Sequence, residues 1–139
     1  MTQPTPAAPS KPAARIRETS PATTDPLSTD DGKISVAQGV VQKNPNVAGF
    51  VDTLGWVLYK KNLHTAAAEQ LQKAAQLNEA EARTANTVPS AAYHYHLGMA
   101  LKGKGDKEGS RRELEAAIRL SEKAPFADVD EAKKALASL

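Results

Sequence analysis

Residues 51–58 read VDTLGWVL and residues 94–101 read HYHLGMAL, so both stretches carry Leu-Gly followed three residues later by another Leu. After each glycine, a small residue, a Leu and an Ala follow at the same spacings of 12, 16 and 19 residues. These residues are Ala67, Leu71 and Ala74 in the first stretch, and Ser110, Leu114 and Ala117 in the second. Five shared offsets predict an internal repeat.

The residue types at these offsets predict paired helices that cross closely. Gly55 and Ala67 are small, so two antiparallel helices can approach each other there, with Leu71 packed around the crossing. Gly98 and Ser110 are expected to have the same part in a second pair. Aromatic residues make up only 4% of the chain, so Ala and Leu have to form the core, which favours helices over sheets.

Six segments have apolar residues at a helical period, and they cover about residues 31–44, 46–61, 65–78, 90–103, 106–124 and 128–139. No segment alternates with a period of two, so we predict an all-α fold without a sheet. Asn62 is expected to end a helix in the left-handed conformation. Asp106 is expected to cap the start of another helix, and Asp128 with Glu131 resembles a capping box.

The first 30 residues differ in composition from the rest. They contain six of the nine prolines, together with Thr, Ser and Ala. Such a stretch cannot bury enough apolar surface to offset the entropy of ordering it. We therefore predict a disordered tail over residues 1–30 and a helical domain over residues 31–139.

At the repeated positions the chain resembles the tetratricopeptide repeat family, whose pattern is W-x₂-L-G-x₂-Y, then A-x₃-F, then Pro. Leu54-Gly55 and Leu97-Gly98 match its Leu-Gly pair, and Ala67 matches its small residue in the second helix. Leu71 stands in place of the Phe. The resemblance implies an α-solenoid of antiparallel helix pairs. Its repeats are about 46–80 and 89–123, with a half repeat at 31–45 and a capping helix at 127–139.

The spacing departs from the family. Gly55 and Gly98 are 43 residues apart, against about 34 in the family. The extra residues fall between Leu77 and Pro89, where a longer second helix and a looser turn would absorb them. The Asp-Thr-Leu-Gly-Trp string and the Pro-Phe…Leu ending are similar to the last repeats of large bacterial tetratricopeptide proteins, including those linked to exopolysaccharide and exosortase systems.

The resemblance also implies a function and a set of site residues. In the family, the first helix of each pair lines a concave groove that holds a peptide or a helix of a partner. The residues that would line it here are Asp52, Trp56, Tyr59 and Lys60 from the first repeat, and Tyr95, Met99 and Lys102 from the second. These aromatic, Met and Lys side chains suit a partner with apolar anchors and some acidic charge. We therefore expect a protein-interaction adaptor or scaffold.

Two other functions stay open. The helix at 31–44 has no upstream partner for its valine face, so the chain is alternatively a self-associating assembly component that forms a homo-oligomer through this helix. Basic side chains after the fourth helix allow an RNA-binding reading, and they are Lys102, Lys104, Lys107, Arg111 and Arg112. A formal net charge of +2 does not favour nucleic acid as the main partner.

Catalysis, metal binding and cofactor binding are not expected. His94 and His96 are two residues apart on a helix, so they point to different sides, and the chain has no cysteine. No catalytic arrangement of nucleophile, base and acid is supported by spacing. No apolar run suits a signal peptide or a membrane span, so a cytoplasmic location is the expectation.

Overall fold

The computed structural model describes residues 30–139, with side chains from residue 32 onward. It contains six helices: α1 Asp30–Lys43, α2 Ala48–Lys60, α3 His64–Ala85, α4 Ala91–Lys104, α5 Lys107–Ser121 and α6 Val129–Ala137. No strand occurs in this range, which confirms the all-α prediction. The predicted disordered tail lies outside the described residues, apart from Asp30 at the start of α1.

The chain divides into two compact units between Val36 and Ala37, a boundary that α1 crosses. Of the first unit the structure describes only the opening half of α1, where Val36 is exposed. The second unit runs to Leu139 and contains the other five helices.

The first hairpin consists of α2 and α3. Gly55 lies so close to α3 that an added Cβ would be 2.5 Å from Cγ of Leu71. Asn62 turns the chain between the helices with φ 65°, as predicted from its position. The Tyr59 and His64 rings on either side of this turn are 5.5 Å apart. The later residue of α2, Tyr59, is near the earlier residue of α3, His64, and the earlier Gly55 is near the later Leu71. The two helices are therefore antiparallel.

The second hairpin repeats this crossing with α4 and α5. A Cβ at Gly98 would lie 2.8 Å from Cγ of Leu114. The buried Ser110 hydroxyl donates a hydrogen bond of 2.8 Å to the carbonyl oxygen of Gly98. Asp106 caps α5 by accepting a 2.9 Å hydrogen bond from the backbone N–H of Gly109, which confirms the predicted cap.

The residues between the two hairpins mostly extend α3. This helix has 22 residues and continues past the predicted repeat end at residue 80, until Asn86 adopts a left-handed conformation. The Asn78 side chain then accepts a 2.8 Å hydrogen bond from the backbone N–H of Ser90, which directs the chain into α4. The longer second helix is therefore present as expected.

The first helices of the hairpins lie side by side. Gly49 is near Tyr93, and Asp52 contacts His96, so α2 and α4 run in the same direction. The Phe126 ring, just before α6, lies 5.9 Å from the Tyr95 ring. Near the other end, Lys102 donates a hydrogen bond to the Ser138 hydroxyl. The order of these contacts shows that α6 runs along α4, also in the same direction.

The start of α6 differs from the prediction. Asp128 is its N-cap residue, but its side chain makes no capping hydrogen bond. Glu131 instead lies 3.4 Å from the Lys134 ammonium on the exposed side of the helix. The predicted capping box is therefore wrong, because a matching sequence spacing does not ensure that either side chain turns back to the backbone.

Candidate functional site

Three rings from α2 and α4 form a stack, which we call the aromatic stack: Tyr59, Trp56 and His96. The Trp56 centroid lies 4.7 Å from that of Tyr59 and 4.2 Å from that of His96, with interplanar angles of 11° and 25°. Trp56 and Tyr59 are three residues apart and therefore share one side of α2. The parallel packing of α4 then adds His96 to this side.

Asp52 fixes the orientation of His96. Both Asp52 carboxylate oxygens lie within 3.0 Å of Nδ1 of the imidazole. Since a carboxylate only accepts hydrogen bonds, Nδ1 carries the proton and Nε2 is left as an acceptor in the neutral ring. Asp52 is only 8% exposed. It therefore acts on this surface through His96, although the resemblance placed it in the groove lining.

Tyr95 lies beneath the surface rather than on it. It is 7% exposed, and its ring packs between Trp56 and Phe126 at centroid distances of 6.0 and 5.9 Å. Burial raises the pKa of its phenol, with the negative charges of Asp128 and Glu131 as further causes. Tyr95 therefore supports the surface and connects α4 to α6.

Met99 and the two lysines complete the residues derived from the resemblance. Met99 is half-buried and, like Trp56, packs against the buried core cluster that contains Tyr95 and Leu114. Lys60 is exposed, and its ammonium lies 5.3 Å from the Trp56 ring centroid, a distance at which a cation is attracted to an aromatic face. Lys102 lies at the end of α4 and contacts Ser138. All seven predicted residues thus lie on or directly under one face of α2 and α4.

Two contributors to this face were absent from the sequence-based set. His96 is part of the aromatic stack, and Phe126 covers Tyr95 from the segment before α6. The repeat offset of 43 residues contained a signal for the first, because it pairs Asp52 with Tyr95, the neighbour of His96. Phe126 lies outside the repeat, so no offset pointed to it. We call the surface of the aromatic stack, Lys60, Lys102 and the start of α6 the aromatic face.

His94 points away from the aromatic face, as the two-residue spacing predicted. Its Nδ1 lies 2.7 Å from a Glu113 carboxylate oxygen on α5, and its Nε2 lies 3.6 Å from Glu79 on α3. These groups line a cleft between the three helices. His94 therefore connects the two hairpins, which is a structural role that the sequence analysis did not identify.

His64, the first residue of α3, has a buried ring nitrogen and packs closely against α4. Its Nδ1 is buried without a hydrogen-bond partner. Its ring lies so near α4 that a Cβ at Gly103 would be 2.5 Å from this nitrogen. The absence of a side chain at Gly103 therefore allows the first hairpin to pack against the second at this end.

The basic side chains at and after the end of α4 are mostly exposed. Lys104, Lys107 and Arg112 are exposed, and Arg111 is half-buried. The described residues contain no group of three or more His, Asp or Glu side chains placed to hold a metal ion. None of the helices in residues 30–139 is both long and apolar enough to cross a bilayer.

Comparison with models of known protein families gives no match, and comparison with curated proteins gives none either.

Proposed function

We propose that this chain is a protein-interaction module of the tetratricopeptide type, which binds a peptide or helix of a partner protein at the aromatic face. In this proposal the chain acts as an adaptor or scaffold, and it carries out no reaction. The face combines Trp56 and Tyr59 with two lysines, and Trp and Tyr are among the residues enriched at the energetic centres of protein interfaces.

The helix packing supports the assignment to this repeat type. The close crossing of Gly55 with Leu71 recurs between Gly98 and Leu114, at the positions where the family has its small and large residues. The parallel neighbours α2, α4 and α6 correspond to the first helices of successive repeats. In a repeat array these helices share one surface, which is the surface that carries the aromatic stack.

The observation that carries the proposal is the aromatic stack itself. Trp56 and Tyr59 are only partly buried, yet their rings are held by stacking on each other and on His96. Two of the three rings come from one helix, and the third is oriented by a carboxylate below it. A surface built in this way is ordered before any partner arrives.

Such ordering favours binding. A side chain that is already fixed loses little conformational entropy when a partner covers it, so more of the contact energy appears as affinity. Trp and Tyr also bring large contact areas together with a polar N–H or O–H group at the edge. The aromatic face therefore has the properties of an interaction surface in the free protein.

The proposal can be tested by selecting ligands from a random peptide library against the full chain. Trp56 is the only Trp in the sequence, so its fluorescence reports directly on the candidate surface. We expect selected peptides to change this fluorescence. We also expect Tyr59→Ala to weaken their binding by at least about tenfold, as for a residue at the centre of an interface.

Phe50→Ala is the matched control. Phe50 is an exposed aromatic residue on the same helix, about 120° around its axis from Trp56. The Phe50→Ala variant should leave the affinity of the selected peptides within about twofold of the wild-type value. This is well below the tenfold change, equal to about 1.4 kcal/mol, that is expected for Tyr59→Ala. Equal losses in Tyr59→Ala and Phe50→Ala, with both variants folded by circular dichroism, would exclude the aromatic face as the binding surface.

Self-association is a second candidate, because Val47 and Phe50 are exposed apolar residues at the start of α2. Exposed apolar side chains of this kind are common where a second chain docks. Light scattering over a range of concentrations tests this. A dimer that is lost in Phe50→Asp or Val40→Asp, but kept in Tyr59→Ala, would favour self-association.

A further inference from the structure

Charge is unevenly distributed along the aromatic face. Asp128 and Glu131 lie at the start of α6, near enough to the Tyr95 phenol for their negative charges to act on it. Lys60 and Lys102 lie in the last turns of α2 and α4. Since the three helices run in the same direction, one end of the face is acidic and the other end is basic, with the aromatic stack between them.

Three of these charges have no partner of opposite sign within the described residues. Neither Lys60 nor Lys102 makes an ion pair there, and Asp128 makes neither an ion pair nor a capping hydrogen bond. Glu131 is paired only with Lys134, at 3.4 Å on an exposed surface, where ion pairs contribute little. The Asp52 carboxylate is different, because it is buried and bound to His96.

Lys60 and Lys102 each lie in the last turn of a helix, where a positive charge is stabilising. A cation in the last turn interacts favourably with the negative end of the helix dipole. That interaction leaves the ammonium in water, with donors free for a carboxylate. Lys60 and Lys102 can therefore contribute to helix stability and to partner recognition at the same time.

The axial distance between the two ends follows from the contact of Lys102 with Ser138, which places the basic end level with the end of α6. Asp128 and Glu131 precede Ser138 by ten and seven residues. At 1.5 Å per helical residue, the acidic and basic ends are about 10–15 Å apart. An extended peptide covers this distance in about three to five residues.

We propose that the aromatic face binds an extended segment of another protein with a cationic residue on one side of an aromatic anchor and an acidic residue on the other. The cationic residue lies beside Asp128 and Glu131, and the acidic residue lies between Lys60 and Lys102. This inference rests on the proposed function and specifies the chemistry and direction of the bound segment. Complementary charge at two separated points selects both a partner and its orientation.

Three blocked peptides of equal length test the inference on the full chain. The first has Lys two residues before a Trp and Glu two residues after it. The second has the same composition but carries both charged residues before the Trp, and the third has Gln in place of both. Affinities are measured from NMR chemical shifts at the Trp56 indole and at the backbone amides.

We expect the first peptide to bind about five- to tenfold more tightly than the other two, since two exposed charge contacts are worth about that factor together. Added salt should reduce this advantage. The double variant Lys60→Glu with Lys102→Glu should remove this advantage, so that the first peptide and the Gln peptide then bind the variant with affinities within about twofold of each other. A nitroxide label beside the peptide Lys should broaden the amide signals of Asp128 and Val129 more than those of Lys60.

The possible failures are distinguishable. If all three peptides bind with equal affinity and their binding depends on Tyr59, the charge inference is overturned while the proposed function remains. If none of them shifts the Trp56 indole signal, the charge inference is overturned, and the proposed function is overturned as well only if the peptide library also yields no ligand that changes the Trp56 fluorescence. If the double variant instead abolishes a dimer seen by light scattering, the face belongs to a second copy of the chain.

Discussion

The two helical hairpins use the same crossing with different chemistry at one position. Twelve residues after Gly55, the first hairpin has Ala67, which is completely buried and apolar. Opposite Gly98, the second has Ser110, whose hydroxyl is also completely buried and donates to the Gly98 carbonyl oxygen. The approach to the following Leu is closer in the first hairpin, at 2.5 Å against 2.8 Å for an added Cβ.

This difference shows which feature of the crossing is essential. The glycine and the Leu recur unchanged, because their van der Waals contact determines how near the helices come. The small residue can be polar if its hydroxyl finds an acceptor, since a buried polar group is costly only when it lacks a hydrogen bond. The repeat therefore conserves volume more strictly than polarity between its two copies.

The largest expected effect comes from filling the crossings. Gly55→Ala should lower the free energy of unfolding by about 1–3 kcal/mol, because its Cβ would overlap Leu71. This loss is net of about 1 kcal/mol gained in helix propensity. Gly98→Ala should lower the free energy of unfolding by less, since its added Cβ would lie 2.8 Å from Leu114 against 2.5 Å from Leu71 for Gly55→Ala. Urea unfolding followed by circular dichroism measures both.

Leu71→Ala in the Gly55→Ala background supplies the control. Removing the Leu side chain opens the space that the new Cβ needs, so the double variant should lose less stability than the sum of the two single changes. If Gly55→Ala and Gly98→Ala both stabilise the protein, helix propensity outweighs the crossing contact, and the comparison between the hairpins fails.

Gly103→Ala tests whether the hairpins also depend on each other. Its Cβ would lie 2.5 Å from the His64 ring of the first hairpin, so we expect a loss of about 1 kcal/mol. In a His64→Ala background the same change should stabilise by about 0.5–1 kcal/mol, as in an open helix. Gly39→Ala is the matched control, since no atom lies within 4 Å of that Cβ. A loss that persists without His64 would contradict the contact.

Exchanging the small residues tests the chemical difference directly. Ser110→Ala should cost about 1 kcal/mol, the value of one buried hydrogen bond. Ala67→Ser should cost less than this, because its hydroxyl can reach the Gly55 carbonyl in the same way. Ala67→Val has no such donor and should cost about 1–3 kcal/mol through overpacking. Similar losses for Ser and Val at this position would mean that the first crossing is too tight for a hydroxyl.

The smallest effect should appear at alkaline pH and come from the second hairpin. Burial raises the pKa of Tyr95, with Asp128, Glu131 and Tyr59 adding to the shift, and burial also raises the pKa of Tyr93. Unfolded tyrosine ionises near its ordinary pKa of about 10. Stability is therefore present below pH 10 and is lost as the pH rises through the folded pKa values.

Tyr95→Phe should make this alkaline loss of stability less steep. The measurement is the unfolding free energy between pH 8 and 11, together with phenolate absorbance in the folded protein. Identical alkaline profiles for the wild type and Tyr95→Phe would show that the Tyr95 environment contributes nothing to the difference between the hairpins.

The sequence predicted the close crossings well and the aromatic face only in part. The Leu-Gly pairs pointed to contacts within a hairpin, where 12 or 16 residues separate the partners. The hydrogen bond between Asp52 and His96 connects residues 44 apart in sequence, on different hairpins. No local pattern reports such a contact, because it depends on how far one hairpin is displaced along the other.

The sequence by itself determined the helices, their small crossing residues and the partners of those residues within each hairpin. Helical period, glycine volume and short connections act over one or two turns, so they can be recognised along the chain. Only the tertiary structure decided that Asp52 orients His96, that Tyr95 lies beneath the surface, and that Phe126 covers it. These outcomes depend on the axial register of the parallel helices α2, α4 and α6, which is set by side-chain packing between hairpins.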